Sequence, residues 1–176
     1  SDTGPAGDVD RIVAIGDDQV DVGLTKFSAL SGIEVVDGTG AWGGVRLLGD
    51  WTDNVLDFRT TTFLGGNVSI DGGYGNDSIT GSVGNDTITG GGGDDTLDGH
   101  KGSDTYIVTG NEAGGWNSFS GYDLYKDTGA STDTDTILAI GDDNVDIGLR
   151  SFGPETGIEV IDGTGAAGTV RLLGDW

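Results

Sequence analysis

Residues 72–107 run four times, without an insertion, through one nine-residue pattern: GGYGNDSIT (72–80), GSVGNDTIT (81–89), GGGGDDTLD (90–98) and GHKGSDTYI (99–107). Every copy has glycine at its first and fourth places, aspartate at its sixth and a large apolar residue at its eighth. A flexible glycine-rich linker would not keep an apolar residue at every ninth position. The pattern therefore indicates a repeating fold.

The sixth-place residues indicate a metal. They are Asp77, Asp86, Asp95 and Asp104, in a chain without cysteine. Repeated carboxylates suit a hard divalent cation better than zinc or copper, and Ca²⁺ is the natural choice. Glycines at the first, second and fourth places allow positive φ and close backbone approach, so that carbonyls converge on an ion.

The eighth-place residues predict the fold class. We expect Ile79, Ile88, Leu97 and Tyr106 each to point inward from a very short strand that follows a loop. If two nonapeptides complete one coil, Asp77 stacks over Asp95 and Asp86 over Asp104. One loop cannot supply the roughly six to eight oxygens that calcium prefers, so ions should lie between stacked loops. The nonapeptide resembles the repeat of known calcium-binding β-rolls, and this resemblance implies an all-β parallel β-helix or β-roll solenoid.

Composition favours folding coupled to cation binding. A net charge of −22 on 176 residues, 36 glycines and a hydrophobic fraction of 34% oppose compaction, and without cations we expect much of the chain to be unfolded. Binding and folding then become one event, which suits a calcium-rich exterior. The acidic field disfavours phosphate and nucleic acid as partners.

A long repeat organises the rest of the chain. Residues 8–51 and 133–176 align without a gap at an offset of 125, with 30 of 44 positions identical. The second copy stops at Trp176 where the first continues into the nonapeptides, so we expect a piece of a longer tandem array. The predicted divisions are degenerate solenoid rungs (1–62), a calcium β-roll (63–108), a linking excursion (109–132) and the start of the next copy (133–176).

The rungs before the roll are predicted from apolar clusters at 12–15, 20–24, 33–36, 45–48, 55–58 and 68–70, separated by glycine- and aspartate-rich turns. Asn54 and Val68 stand where aspartate would be, so calcium ligands should fade toward the N-terminus. The aromatic residues of the excursion are Trp116, Phe119, Tyr122 and Tyr125. They either cap the solenoid core or stack on sugar rings.

Catalysis is not predicted. His100 is the only histidine and occupies the second place of the fourth repeat, so a zinc site or a Ser-His pair lacks partners. Paired carboxylates such as Asp94–Asp95 and Asp142–Asp143 are expected in so acidic a chain. No apolar run of transmembrane length is present, so membrane insertion is not expected.

These motifs resemble the hemolysin-type calcium-binding β-roll of the repeats-in-toxin (RTX) family of secreted bacterial proteins, over about 36 residues, 72–107. The resemblance implies a right-handed parallel β-roll, type I secretion and a Gram-negative source. By motif position it implies carboxylate ligands at the four sixth-place aspartates. It also implies backbone carbonyls or tight turns at Gly72, Tyr74, Gly75, Gly81, Val83, Gly84, Gly90, Gly92, Gly93, Gly99, Lys101 and Gly102.

Two functions remain open, because a fold does not specify a function. The first is a calcium-binding structural module of a large secreted or cell-surface bacterial protein, such as an adhesin or surface-layer protein, which folds on calcium after export. Its partners would be calcium ions and adjacent modules of the same chain. The alternative is a module that binds carbohydrate or a surface, such as cell-surface polysaccharide, attached to a polysaccharide-active secreted enzyme.

Overall fold

The computed structural model describes residues 9–109, 121–129, 132–141 and 144–174. Short strands and two 3-10 turns, Ala29–Ser31 and Pro154–Thr156, form its regular structure. The strands are β1 (Arg11–Gly16), β2 (Val20–Gly23), β3 (Lys26–Phe27), β4 (Val35–Ala41), β5 (Val45–Leu48), β6 (Val55–Asp57), β7 (Thr62–Leu64), β8 (Val68–Tyr74), β9 (Ser78–Thr80), β10 (Thr87–Gly92), β11 (Thr96–Asp98), β12 (Thr105–Thr109), β13 (Leu124–Lys126), β14 (Thr136–Gly141), β15 (Val145–Leu149), β16 (Val160–Ala166) and β17 (Val170–Gly174).

The strands stack into parallel sheets that form the sides of a solenoid. Side one is the sheet β1-β4-β7, side two is β16-β14-β12-β10-β8-β5-β2, and side three is β13-β11-β9-β6-β3. Strands β15 and β17 form a fourth, two-stranded sheet. Neighbouring strands in every sheet run parallel, as coils wound in one direction require. The fold is the predicted all-β parallel β-roll solenoid.

The coils change shape along the chain. The first three coils place a strand on each of the three sides, and from β10 onward the strands of the roll lie on sides two and three only. Within the roll, β9 pairs with β11 through Ser78 and Thr96, and β10 pairs with β12 through Thr87 and Thr105. Both registers are offset by 18 residues, which confirms that two nonapeptides complete one coil.

The core lies where the eighth-place residues predict it. Ile79, Ile88, Leu97 and Tyr106 are all fully buried or nearly so. Each contributes about 1.5–3 kcal/mol by leaving water, so a coil with two such residues has a thin core. The roll therefore needs a further source of stability.

The apolar clusters before the roll lie in strands of the solenoid. The six apolar clusters fall in β1, β2, β4, β5, β6 and β8 or at their ends. Aromatic packing stabilises these coils, because Phe58 stacks on Phe27 at 4.5 Å between ring centroids and meets Phe63 edge-on at 5.4 Å. Pairing of Val55 with Ser78 aligns Asn54 with Asp77, and pairing of Ser69 with Thr87 aligns Val68 with Asp86. Before the roll, the residues aligned with the sixth-place aspartates are therefore uncharged, as predicted.

The two long copies occupy different sides of the solenoid. Strand β1 lies on side one, whereas its equivalent in the second copy, β14, joins β12 on side two. Strand β2 lies on side two, but its equivalent β15 has Leu149 bridged to Asp123, next to the side-three strand β13. The second copy is therefore displaced around the solenoid by one side.

Some expectations fall outside the described residues. These are Trp116 and Phe119 of the excursion, the Asp142–Asp143 pair and Trp176. Within 109–132, β13 forms a rung that pairs with β11. The division of the chain into four segments remains a prediction.

Candidate calcium sites on the two edges of the roll

The sixth-place aspartates form two ladders, one at each edge of the roll. We define the first-edge ladder as Asn54, Asp77, Asp95 and Asp123. The backbone N–H of each member donates to a side-chain oxygen of the next: Asn54 to Asp77 Oδ1 at 2.7 Å, Asp77 to Asp95 Oδ1 at 2.8 Å and Asp95 to Asp123 Oδ1 at 3.0 Å. The predicted stacking of Asp77 with Asp95 is confirmed.

The second-edge ladder, Asp86, Asp104, Asp135 and Glu159, has the same construction. Asp86 N–H donates to Asp104 Oδ1 at 2.8 Å, Asp104 N–H to Asp135 Oδ1 at 2.7 Å, and Asp135 N–H to Glu159 Oε2 at 2.8 Å. The predicted stacking of Asp86 with Asp104 is confirmed as well. Asp104, Asp135 and Glu159 thus each fix the register of two coils with one carboxylate oxygen.

The second oxygen of several ladder carboxylates is buried without a hydrogen bond. Among the described residues this holds for Oδ2 of Asp77, Asp95, Asp104 and Asp135. A buried carboxylate oxygen without a partner costs several kcal/mol, and the cost falls when a proton or a cation binds it. These four oxygens therefore have the chemistry of metal ligands.

Burial raises the pKa of every aspartate in the two ladders, and for most of them neighbouring carboxylates raise it further. The pKa of Asp104 rises to about 8 and that of Asp95 to about 7. The pKa values of the other aspartates rise to about 6, namely Asp77, Asp86, Asp123 and Asp135. A divalent cation beside these groups would reverse the shift, because it favours the charged form.

The first-place glycines adjoin the free oxygens. A Cβ on Gly72, Gly90 or Gly99 would collide with Oδ2 of the aspartate five residues later. The same Cβ on Gly72 would lie 2.5 Å from the carbonyl oxygen of Gly90 in the next coil. Carboxylate and carbonyl oxygens therefore converge beside these glycines, and they suit a hard cation such as calcium.

The second and fourth places carry the turn. Gly73 and Gly75 have φ of 94° and 109°, and Gly91 and Gly93 have φ of 104° and 134°. These are left-handed conformations that favour glycine. The expected positive φ is thus confirmed at these places, whereas the first-place glycines do not adopt it.

The second repeat differs from the others. Its second place is Ser82, whose N–H donates to Asp86 Oδ2 at 2.5 Å and whose hydroxyl donates to Asp86 Oδ1 at 3.0 Å. Both oxygens of Asp86 are therefore engaged within their own loop. As at the other first-place glycines, a Cβ on Gly81 would lie too close to its surroundings. It would be 2.5 Å from Asp86 Oδ2 and 2.5 Å from the carbonyl oxygen of Gly99.

Side chains at the third place turn away from the ladders. Tyr74 and Val83 are 57% and 53% exposed, and Lys101 is exposed as well. Any contact of these residues with an ion would come from the backbone. Gly92 lies next to the Tyr74 ring, Gly102 lies over the Gly84 backbone, and Gly84 N–H donates to Ser82 Oγ. The ligand roles of these residues remain predictions.

Sequence reasoning missed three ladder members, Asp123, Asp135 and Glu159. Asp123 and Asp135 lie beyond the fourth repeat, yet both are buried and accept a backbone N–H from a sixth-place aspartate. Their local sequences carried a signal. Residues 121–126, GYDLYK, repeat the second half of the nonapeptide, and Asp135 begins the same Asp-Thr-Ile triplet as Asp86.

Comparison with known proteins agrees with this geometry. Residues 65–106 match the family model of the RTX calcium-binding nonapeptide repeat in four copies. Comparisons with curated proteins and with solved structures gave no match. The described part of the chain contains no helix of the length and apolarity that a membrane crossing needs. The segment that is similar to RTX calcium-binding nonapeptide repeats, residues 65–106, is therefore wound as a parallel β-roll.

Proposed function

We propose that the chain is a structural module of a large secreted or cell-surface bacterial protein, of adhesin or surface-layer type, which folds when it meets calcium after export. The observation that carries the proposal is the set of buried carboxylate oxygens without hydrogen bonds on Asp77, Asp95 and Asp104. Without cations these groups oppose folding, and with cations they join one coil to the next.

The net charge of −22 supports the same conclusion. Each bound calcium cancels two negative charges. A site at about a hundredfold excess of ligand over its Kd contributes about 2.7 kcal/mol, so a few sites equal the stability of a whole domain. Extracellular calcium modules have Kd values of about 0.1–1 mM. The calcium roll of such a chain stays unfolded in a low-calcium cytosol and folds outside the cell.

The test is a calcium titration of the full chain after removal of metal, followed by far-UV circular dichroism. We expect a cooperative coil-to-β transition with a midpoint of about 0.1–1 mM. A chain that gains no β-structure when calcium is added would overturn the proposal, and a submicromolar midpoint would overturn folding after export.

A matched pair of variants sharpens the test. Asparagine at positions 77, 86, 95 and 104 keeps the Oδ1 acceptors and removes four charges, so the calcium-dependent transition should disappear. The control removes four exposed charges instead, through Asp17→Asn, Asp18→Asn, Glu34→Gln and Glu155→Gln. It should retain the transition.

Carbohydrate binding is the second candidate, and one observation favours it. The rings of Trp51 and Tyr74 stack at 4.6 Å with an interplanar angle of 4°, although the two residues are 78% and 57% exposed. Flat exposed rings are suited to sugar stacking. A glycan array probed with the calcium-loaded chain and with Trp51→Ala discriminates the candidates, because a sugar ligand must be lost with the ring.

A further inference from the structure

The coil that follows the fourth repeat replaces glycines with aspartates at the second edge. Pairing of Asp98 with Lys126 aligns Asp127 with Gly99, the first place of the fourth repeat. Pairing of Thr105 with Thr136 aligns Asp135 with Asp104, and therefore Asp133 with Gly102, the fourth place. The loop from Asp127 to Asp135 lies outside the residues that match the repeat family.

These three aspartates converge. One carboxylate oxygen from each of Asp127, Asp133 and Asp135 lies within 4.8 Å of the other two. Two oxygens on opposite sides of a calcium ion are about 4.8 Å apart, because Ca–O distances are about 2.4 Å. A single calcium ion can therefore contact all three carboxylates.

An independent observation also indicates a ligand at this place. Asp135 is 0% exposed, and its Oδ2 makes no hydrogen bond within the described part of the chain. Its other oxygen accepts the N–H of Asp104 at 2.7 Å, which fixes the carboxylate in the ladder. A fixed, buried anionic oxygen next to two further carboxylates requires a positive partner.

The surrounding backbone holds the other two carboxylates in place. Asp133 Oδ2 accepts the N–H of Gly102 at 3.2 Å, and Asp127 Oδ1 accepts the N–H of Gly129 at 2.7 Å. The backbone N–H of Asp127 donates to the carbonyl of Thr156 at 2.7 Å, in the following coil. Contacts from the coils on both sides therefore position the cluster.

The two edges end differently. At the first edge, Arg150 places its guanidinium 2.9 Å from the carbonyl oxygen of Asp95, and its positive charge favours the ionised form of Asp123. At the second edge, none of the ion pairs found among the described residues involves Asp127, Asp133 or Asp135. An arginine stabilises the end of the first ladder, whereas the second ends in additional carboxylates.

We propose that Asp127, Asp133 and Asp135 bind one calcium ion near the end of the second-edge ladder, in a site built from side-chain carboxylates and separate from the four repeats. The proposal rests on the proposed function, in which calcium stabilises the ladders. Three carboxylates give this site more negative charge than loops that rely on backbone carbonyls, and charge count raises calcium affinity. The site fills before the repeats do.

The test counts calcium ions on the full chain by equilibrium dialysis and by native mass spectrometry. The variant Asp127→Asn with Asp133→Asn keeps amide oxygens for the Gly102 and Gly129 N–H groups but removes two charges. It should bind one ion fewer than the wild type. The control, Asp17→Asn with Asp18→Asn, removes two exposed charges in the first coil and should bind as many ions as the wild type.

The outcomes separate this inference from the proposed function. A wild type that binds no calcium overturns both. A wild type that binds calcium, with an unchanged ion count in the double variant, overturns only the carboxylate site. If the double variant does not fold in calcium, the single variant Asp133→Asn decides: the tightest Kd should weaken by about tenfold or more, and an unchanged Kd overturns the site.

Discussion

The first-place glycines are needed for the carboxylate that follows them and not for backbone conformation. Gly72, Gly90 and Gly99 do not have positive φ, but a side chain on any of them would occupy the space of an aspartate Oδ2. At the second place, by contrast, the requirement is a backbone with positive φ. Gly73 and Gly91 are left-handed there, and His100 adopts φ 75° at the same place. The two glycines of the motif thus serve different purposes, one for ligand space and one for the turn.

Gly90→Ala tests the requirement for ligand space. The methyl group would displace the Asp95 carboxylate, so we expect a loss of about 1–3 kcal/mol in the calcium-loaded state and a higher calcium midpoint. Urea denaturation and calcium titration measure both. Gly23→Ala is the matched control, because no atom lies within 4 Å of a Cβ built there. Equal effects of the two substitutions would contradict the proposed requirement.

At the level of the elements, each ladder is a row of buried carboxylates that joins short strands. In calcium-free protein the folded pKa values of these groups lie at about 6 to 8, above their ordinary value of 3.8. The folded state then holds protons more tightly than the unfolded state. Its stability is therefore greatest at low pH and falls as the pH rises through 6 to 8.

We therefore expect the calcium-free chain to lose several kcal/mol of unfolding free energy between pH 5 and pH 8. Calcium competes with these protons, so the calcium affinity should rise over the same range. Urea denaturation of the metal-depleted chain at the two pH values, and a calcium titration at each, measure the two effects. A metal-depleted chain that is more stable at pH 8 would contradict the pKa shifts.

The elements that sequence predicted are those with a constant period. The nine-residue phase predicted the 18-residue offset, the stacking of Asp77 with Asp95 and the burial of Ile79 and Leu97. The next ladder members follow at 28 and 31 residues, in Asp123 and Asp135. These longer connections interrupt the 18-residue spacing of the ladder members, because the strands keep their register while the loops between them change length. Parallel pairing, which depends on distant residues, then determines the ladder.

Among the described residues of the whole molecule, the buried carboxylates begin at Asp77, whereas buried aromatic pairs lie both before the roll, as Phe27–Phe58, and with the carboxylates, as Tyr106–Tyr125. The coils up to Phe63 have the Phe27–Phe58 stack and begin the first-edge ladder with neutral Asn54. The roll combines a thin core with the carboxylates. Removal of calcium should therefore affect the two regions differently.

Hydrogen exchange measured by mass spectrometry tests this difference. We expect loss of amide protection in residues 72–107 when calcium is removed, with protection retained in β4, β5 and β6. The cause is that the roll contains buried carboxylate oxygens without hydrogen bonds, whereas the described residues before the roll contain none. The Asn variant at positions 77, 86, 95 and 104 is the control, because its exchange should not respond to calcium. Uniform loss of protection along the chain would contradict the distinction.

The displacement of the second copy by one side determines how repeated surfaces are presented. The Arg46–Asp21 ion pair lies on side two. Its equivalent, Arg171–Asp146, lies on the β15–β17 sheet, which is linked to side three through the bridge between Leu149 and Asp123. Two similar sequences therefore face different directions around one axis. A rigid, flat partner that binds the first copy cannot bind the second copy in the same orientation. Equivalent contacts with both copies require either a partner that follows the curvature of the solenoid or separate partners that bind on different sides.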